Sequence, residues 1–458
     1  MSTHTIELNE RPASPRRIAI PIRALSDNEA TDSPGSASAR WFYGWLMLPL
    51  AIAMMLATSP GQTYGVSYFN ERFIAEFGLS NTTLSTTYMV ATLLAAASLT
   101  FIGALIDRHG TRRMAVIGFV ALTGGCVFAS RSNGLVTLFL SFLMLRTFGP
   151  GTMTLLANHT LAAWFDRRLG LATSIAQTVM AAAFALIPAG IVLLIGEVGW
   201  RGTYLVFAGI FGLGFLPLVA IFLRSSPCEV GQVPDGVRYQ ATSRQRTPTS
   251  ESEFTLAEAM HQQAYWILLI STAMWSLIGT GLVFHLVGVF QEQDFDARDS
   301  TAAVIAVAWT MGLTQVIGGM LADRLAMRWL LMTAMSLIAV ACVVVPYATN
   351  LETLVFGYGI YGCGQGIKTV IAGTAWARYF GRAHLGKIRG TSLSAAVGAS
   401  AVGPVVMGVS ADYLGGFAPA LWLFAGIALA CAAASYWAIP PIAREAVAPQ
   451  IFELADAA

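Results

Sequence analysis

The sequence predicts an all-α integral membrane protein of twelve transmembrane helices arranged in two pseudo-symmetric six-helix halves. Three observations carry this. The composition is too apolar for a water-soluble chain: 55% of the 458 residues are hydrophobic and 11% charged, against roughly 25% charged in soluble domains, and mean hydropathy is +0.63. The apolar residues gather into repeated runs of about 18 to 27 residues, long enough to cross the hydrocarbon layer as helix. Short motifs also recur at a separation of 215 or 216 residues, so the second half of the chain restates the first.

The runs fall at about 43–69, 84–106, 114–131, 135–158, 169–195, 202–223, 265–290, 301–321, 329–348, 353–377, 388–411 and 417–441, each end set to within about four residues. They are continuous and rich in Ala, Leu, Gly and Met, unlike the ten-residue alternating segments of a membrane barrel. Small residues at this density let helix backbones approach closely in lipid. The expected organisation is a cytoplasmic disordered tail over 1–40, a six-helix half over 41–223, a cytoplasmic linker over 224–263, a second six-helix half over 264–441 and a tail over 442–458.

The first 40 residues are polar, with five Arg balanced by five acidic residues. They lack the apolar core of a cleaved signal or a twin-arginine leader and read as a disordered tail. Cys126, Cys342, Cys363 and Cys431 fall in separate spans and Cys228 in the linker, so neither a disulfide nor a metal site is expected. No cluster of His, Cys or carboxylates suits a membrane hydrolase. The expectation is therefore a protein that is not an enzyme and uses no cofactor.

Twelve spans put both termini on one side. The loops after even-numbered spans carry fifteen Arg and Lys, and those after odd-numbered spans carry Arg72, Arg131, Arg201 and Arg298. Basic loops stay inside, so the even loops and both termini are expected in the cytoplasm, with the protein in the cell (inner) membrane. The net charge of +2 gives no sign of a nucleic-acid partner.

The duplication is read from three places. After the second span the chain runs GALIDRHGTRRM from Gly103, and after the eighth GMLADRLAMRWL from Gly319, an offset of 216. Phe165 matches Phe380, and Gly149 and Gly151 match Gly364 and Gly366, at 215. Three matches in one register imply two six-span repeats, which place a substrate site near the midplane between the halves.

These residues also carry a family resemblance. Gly103, Asp107, Arg108, Gly110 and Arg113 fit the G-x-L-x-D-R-x-G-x-R-R pattern of the major facilitator superfamily, and Arg146 with Gly149 and Gly151 resembles its fourth-span R-x-x-G-x-G motif. Within that superfamily the chain resembles the monocarboxylate and oxalate-formate branch. The segments are GQTYGVSYF from Gly61, WFDRRLGLA from Trp164, GWRGTYL from Gly199, PDG ending at Gly236, FHLVGVF from Phe284 and GKIRG from Gly386. One departure stands out: eukaryotic carriers have an Asp and an Arg in the eighth span, whereas the run around Trp309 and Gln315 here has no charge.

The resemblance implies a secondary transporter whose first, fourth, seventh and tenth spans line the cavity. Tyr64, Arg146, His285 and Lys368 fall one on each. Arg146 and Lys368 are cations within spans that hold no Asp or Glu at comparable depth. An unpaired charge in hydrocarbon costs at least ~2.5 kcal/mol, so both should meet water, carbonyls or a bound anion. Excess fixed positive charge points to an anionic substrate. Arg146 has a structural alternative, bracing neighbouring carbonyls as part of the family motif. Lys368, which aligns with Met153 in the first half, has snorkelling as its alternative. Tyr64 is a candidate hydrogen-bond donor to the substrate. His285 is the candidate proton-coupling group because its ordinary pKa lies near neutrality; the alternative is a packed histidine donating to a backbone carbonyl.

In the loops, Asp107 and Asp323 are expected to dock against the starts of the eleventh and fifth spans, where helix dipoles attract negative charge. Arg108, Arg113 and Arg324 would brace those contacts and hold the cytoplasmic side closed. The function expected is alternating-access transport of a small organic anion, a monocarboxylate above all, with protons as candidate co-substrate and the bilayer as the other partner. A drug or metabolite exporter is the alternative within the superfamily. The exporters' fifth-span G-x-x-x-G-P-x-x-G-G motif is missing from SIAQTVMAAAFALIPAG, although the eleventh span contains GPVVMG from Gly403. A non-transporting membrane sensor is the alternative outside transport.

Overall fold

The computed structural model describes residues 42–166, 168–236, 254–322, 324–381 and 384–441; the two terminal tails lie outside them. Among the described residues the secondary structure is helical throughout, and ten helical stretches are long and apolar enough to cross a membrane. One of the ten, Leu169–Phe222, is two spans: Gly199 turns the chain at φ 71, a backbone conformation that glycine adopts without strain. The helix Leu351–Phe380 is a further span, 30 residues long, whose glycines and Gln365 and Lys368 hold its hydropathy down. The chain thus has twelve transmembrane helices in two six-helix halves.

The first span departs from a continuous run. Helix Gly44–Leu56 gives way to a 3-10 turn over Ser59–Gly61, a short helix Thr63–Val66, and a further helix Asn70–Phe77 that carries the span beyond its expected end. Pro60 lacks a backbone N–H, and the hydroxyls of Thr58 and Ser59 donate to the carbonyls of Met55 and Leu56, both at 2.7 Å. These local bonds replace the helical ladder. The seventh span breaks similarly at His285, between Gln263–Phe284 and Leu286–Gln291. The fourth widens into a π-helical turn over Thr147–Met153 around Pro150. The second span, Asn81–His109, starts earlier than hydropathy suggests because Ser80 caps it, its hydroxyl accepting from the Thr83 N–H at 3.1 Å.

Large apolar side chains point outward in number, among them Leu213 at 85%, Trp309 at 77% and Val136 at 71% exposure. In water such a surface would aggregate; it is what a lipid-facing surface requires. Inside the N-terminal half, aromatic rings fill the space near the odd-loop end: Phe69 stacks on Tyr204 at 4.5 Å and Phe73 meets Trp200 edge-on at 5.2 Å. Glu76 receives hydrogen bonds from Trp200 at 2.6 Å and from Arg201, joining the end of the first span to the start of the sixth.

Part of the linker is ordered against the first half. Asp235 of the PDG segment accepts from the Asp166 N–H at 3.2 Å, and Gln232 accepts from the Tyr43 N–H at 3.0 Å. Two sequence motifs singled out separately therefore meet in space. Helix Leu256–Met260, started by a Thr255–Glu258 capping box at its N-terminus, leads into the seventh span.

The halves meet at the odd-loop end. Asn70 donates to the Phe284 carbonyl at 2.7 Å, Ser85 lies 3.0 Å from His285 Nε2, and Asp412 holds Asn81 and Thr82. Among the described residues, the direct hydrogen bonds between the halves cluster here. Toward the even-loop end the halves leave a cavity, whose wall residue Leu393 is 66% exposed.

Candidate functional site

The cavity has a volume of about 460 Å3 and lies between the halves, in the size range of small-molecule sites. The N-terminal half supplies Gln62, Thr63, Tyr64 and Phe184. The C-terminal half supplies residues of the seventh, eighth, tenth and eleventh spans, including Trp275, Thr280, Met311, Tyr361, Gln365, Lys368 and Ser400.

The break in the first span aims Gln62, Thr63 and Tyr64 inward. It requires a glycine: a Cβ on Gly61 would lie 2.4 Å from the Leu145 carbonyl oxygen and 2.7 Å from Pro150 Cδ, where the first span crosses the fourth. Tyr64 is buried, its hydroxyl 3.1 Å from Ser59 Oγ and its ring edge-on to Phe184 at 4.9 Å.

Arg146 is half-buried and does not line the cavity. Its Nη1 donates to the Gly61 carbonyl at 3.1 Å and its guanidinium stands 5.1 Å from the Tyr88 ring centre. The Tyr88 hydroxyl lies 3.0 Å from that of Thr63. Arg146 therefore holds the interrupted backbone immediately before Gln62, so the carbonyl-bracing alternative is the contact seen.

Lys368 does line the cavity. It follows Tyr361 and Gln365 along one face of the tenth span, at the i, i+4, i+7 spacing that stacks side chains. Gln365 accepts from the Trp275 indole at 2.5 Å, and Trp275 stacks on Tyr361 with ring centres 6.0 Å apart. Gly364 makes room for this packing, since a Cβ there would come within 2.7 Å of the Trp275 ring. Lys368 itself makes no hydrogen bond or ion pair with a described residue. None of the described lining residues is acidic. The cavity therefore presents one uncompensated cation, amides and hydroxyls, and an aromatic wall. It can hold an anion through charge-assisted hydrogen bonds.

His285 stands elsewhere. It is 3% exposed, its Nε2 is 2.9 Å from the Pro404 carbonyl oxygen and 3.0 Å from Ser85 Oγ, and Phe417 packs against its ring at 5.0 Å. A carbonyl only accepts, so Nε2 carries a proton. The histidine belongs to the junction of the halves and is absent from the cavity wall.

Of the gating residues, the Asp107 side chain and all of Asp323 lie outside the described residues. Gly103 and Gly110 bracket the end of the second span, and Arg108, Arg113 and Arg324 are exposed. The loop is tied instead by Arg112, which donates to the Ala220 carbonyl at 3.2 and 2.6 Å and through its N–H to Ser225 at 3.2 Å. Sequence reasoning gave Arg112 no separate role. It also passed over Gln62, Trp275 and Gln365, because amides and rings are ordinary in a membrane helix until their direction is known.

The profile of the Major Facilitator Superfamily matches residues 42–307 and 291–454. The chain belongs to that superfamily. The major facilitator fold is visible in solved structures too. A bacterial homologue of the human lysosomal transporter Spinster, in an inward-facing and unoccupied conformation, aligns with TM-score 0.67 at 13% identity over 88% of this chain and 98% of that one. The nucleoside transporter NupG aligns with TM-score 0.66 at 13% identity, over 86% of this chain and 99% of its own. At such identities the likeness is of fold. Sequence relatives include the MFS-type transporter YhjX of Escherichia coli (strain K12), 24% identical over 62% of this chain and 67% of its own. Human monocarboxylate transporter 11 is 27% identical over 48% of this chain and 44% of its own, and human monocarboxylate transporter 6 is 24% identical over 62% and 57%. The chain thus spans about half the length of these monocarboxylate transporters. This major facilitator protein is a multi-pass membrane protein of a non-enzymatic transporter family.

Proposed function

We propose that this protein moves a small organic anion, of the monocarboxylate class, across the cell membrane by alternating access. The observation that carries the reading is Lys368, a cation that, among the described residues, has no protein partner and faces a cavity lined by no acid. Likeness to monocarboxylate transporters supports the substrate class. In this reading Lys368 takes the carboxylate, Tyr64 orients it by a hydrogen bond, and Arg146 sets the backbone from which Gln62 to Tyr64 project. The loop charges put the even-loop end and both termini in the cytoplasm, so the conformation described above faces inward. A proton taken up at His285 would act on the junction of the halves, not on the substrate.

The test is uptake into proteoliposomes of acetate, pyruvate, lactate, oxalate and larger acids, with and without a pH gradient. Saturable uptake of one of these acids, abolished or weakened in Lys368→Gln, is expected. Transport of a cation or a neutral drug, with every acid excluded, would overturn the reading in favour of an exporter.

A further inference from the structure

Asp412 is the next-to-last residue of the eleventh span, Leu385–Tyr413, at the odd-loop end. Its Oδ1 accepts from the backbone N–H and the side-chain amide of Asn81, both at 3.2 Å, and its Oδ2 accepts from the Thr82 N–H at 2.6 Å. Asn81 and Thr82 open the second span, where the first N–H groups have no partner within the helix and the dipole is positive. Ser80 satisfies the next one, at Thr83. The cap of a helix in one half is thus completed by a carboxylate of the other. The backbones are close here: a Cβ on Gly408, one turn before Asp412, would lie 2.8 Å from the Asn81 carbonyl oxygen and 3.0 Å from Ser85 Oγ.

The second and eleventh spans run antiparallel, each helix is 29 residues long, and each has one Asp in its last turn, Asp107 and Asp412. Each of these acids is therefore placed at the end of the pair where the other helix begins. We propose that Asp412 is a gating latch that holds the odd-loop end shut, the reciprocal of Asp107 at the even-loop end of the same two helices. Alternating access opens one end as the other closes, so the two latches compete. Asp412 is engaged in the state described here, and its release accompanies opening of the odd-loop end. The inference rests on the alternating-access part of the proposed function and on nothing about the substrate.

The experiment reads the conformational balance without substrate. In a chain whose five cysteines are replaced by Ser, Val287→Cys places a thiol in the cleft between the halves at the odd-loop end, where Val287 is 2% exposed. Its labelling by a membrane-impermeant maleimide added from that side reports opening. Asp412→Asn removes the charge. Asn81→Pro removes both Asn81 donors, and proline is tolerated at the first helical position after a residue already extended, as Ser80 is at φ −83, ψ 160. Both variants should label roughly fivefold to tenfold faster than the parent, a shift of the size expected for losing charge-assisted bonds at a helix start. Asp107→Asn should slow labelling, and the double variant Asp107→Asn/Asp412→Asn should return toward the parent rate. Parent-rate labelling in Asp412→Asn and in Asn81→Pro would overturn the latch. So would faster labelling in Asp107→Asn, which would mark general loosening. Failure of every acid to be transported would leave these rates unaffected, so the two proposals fail separately.

Discussion

Lys368 and Arg146 are both cations inside membrane spans, and their surroundings differ. The Arg146 guanidinium is engaged by the Gly61 carbonyl and the Tyr88 ring, while Lys368 faces the cavity without a counter-charge among the described residues. A carboxylate entering the cavity loses hydration, and a charge-assisted hydrogen bond returns about 1.5 to 3 kcal/mol. Lys368→Gln should therefore weaken anion affinity roughly tenfold to a hundredfold, and Lys368→Arg, which keeps the charge, should lose less. Arg146→Gln should cost less than tenfold in affinity and show its effect in transport rate. Binding measured on folded, inserted protein decides this; equal affinity losses in the two Gln variants would put Arg146 in the substrate site. Lys368 was legible in the sequence because a charge in an apolar run is an anomaly. Gln365 and Trp275 were not, because nothing in their spacing tells which face of the tenth and seventh spans meets the cavity.

At the scale of the element, hydropathy finds helices and misses their interruptions. The run from 43 to 69 reads as one span, yet the chain breaks after Leu56, and the break and the short helix after it deliver three cavity residues. A crossing partner adds to the local bonds of Thr58 and Ser59: the Leu145 carbonyl and Pro150 of the fourth span leave no room for a Cβ on Gly61. Gly61→Ala should destabilise the protein by about 1 to 3 kcal/mol, the usual cost of forcing extra volume into a packed site. Gly124→Ala, where a Cβ would meet nothing within 4 Å, should be neutral or stabilising. Thermal unfolding in one detergent compares the two. Equal midpoints would show that the crossing can relax and that Gly61 is not what fixes the break.

At the scale of the whole molecule, the junction at the odd-loop end gathers His285, Ser85, Asn70 and Asp412 from four different spans. With His285 in that junction, His285→Gln should leave anion affinity unchanged and flatten the pH dependence of uptake; intact pH dependence would remove His285 as the coupling group. Topology has its own check. A single cysteine beside Arg112 should label only from the cytoplasm and one beside Asp296 only from outside, and labelling of both from one face would refute the twelve-span arrangement. The sequence by itself determined the solvent, the number of spans, the duplication and the presence of cations within the spans. The solvent, the spans and the charges within them follow from local composition, since burying an apolar run in lipid is favourable and burying a charge is costly wherever they lie, and the duplication follows from comparing the two halves of the chain. The tertiary structure decided which cations reach the cavity, that His285 belongs to the closed junction, and that Asp412 caps a helix of the opposite half. Those outcomes depend on how twelve helices are rotated and tilted against one another, and that is set by close contacts between residues far apart in the chain.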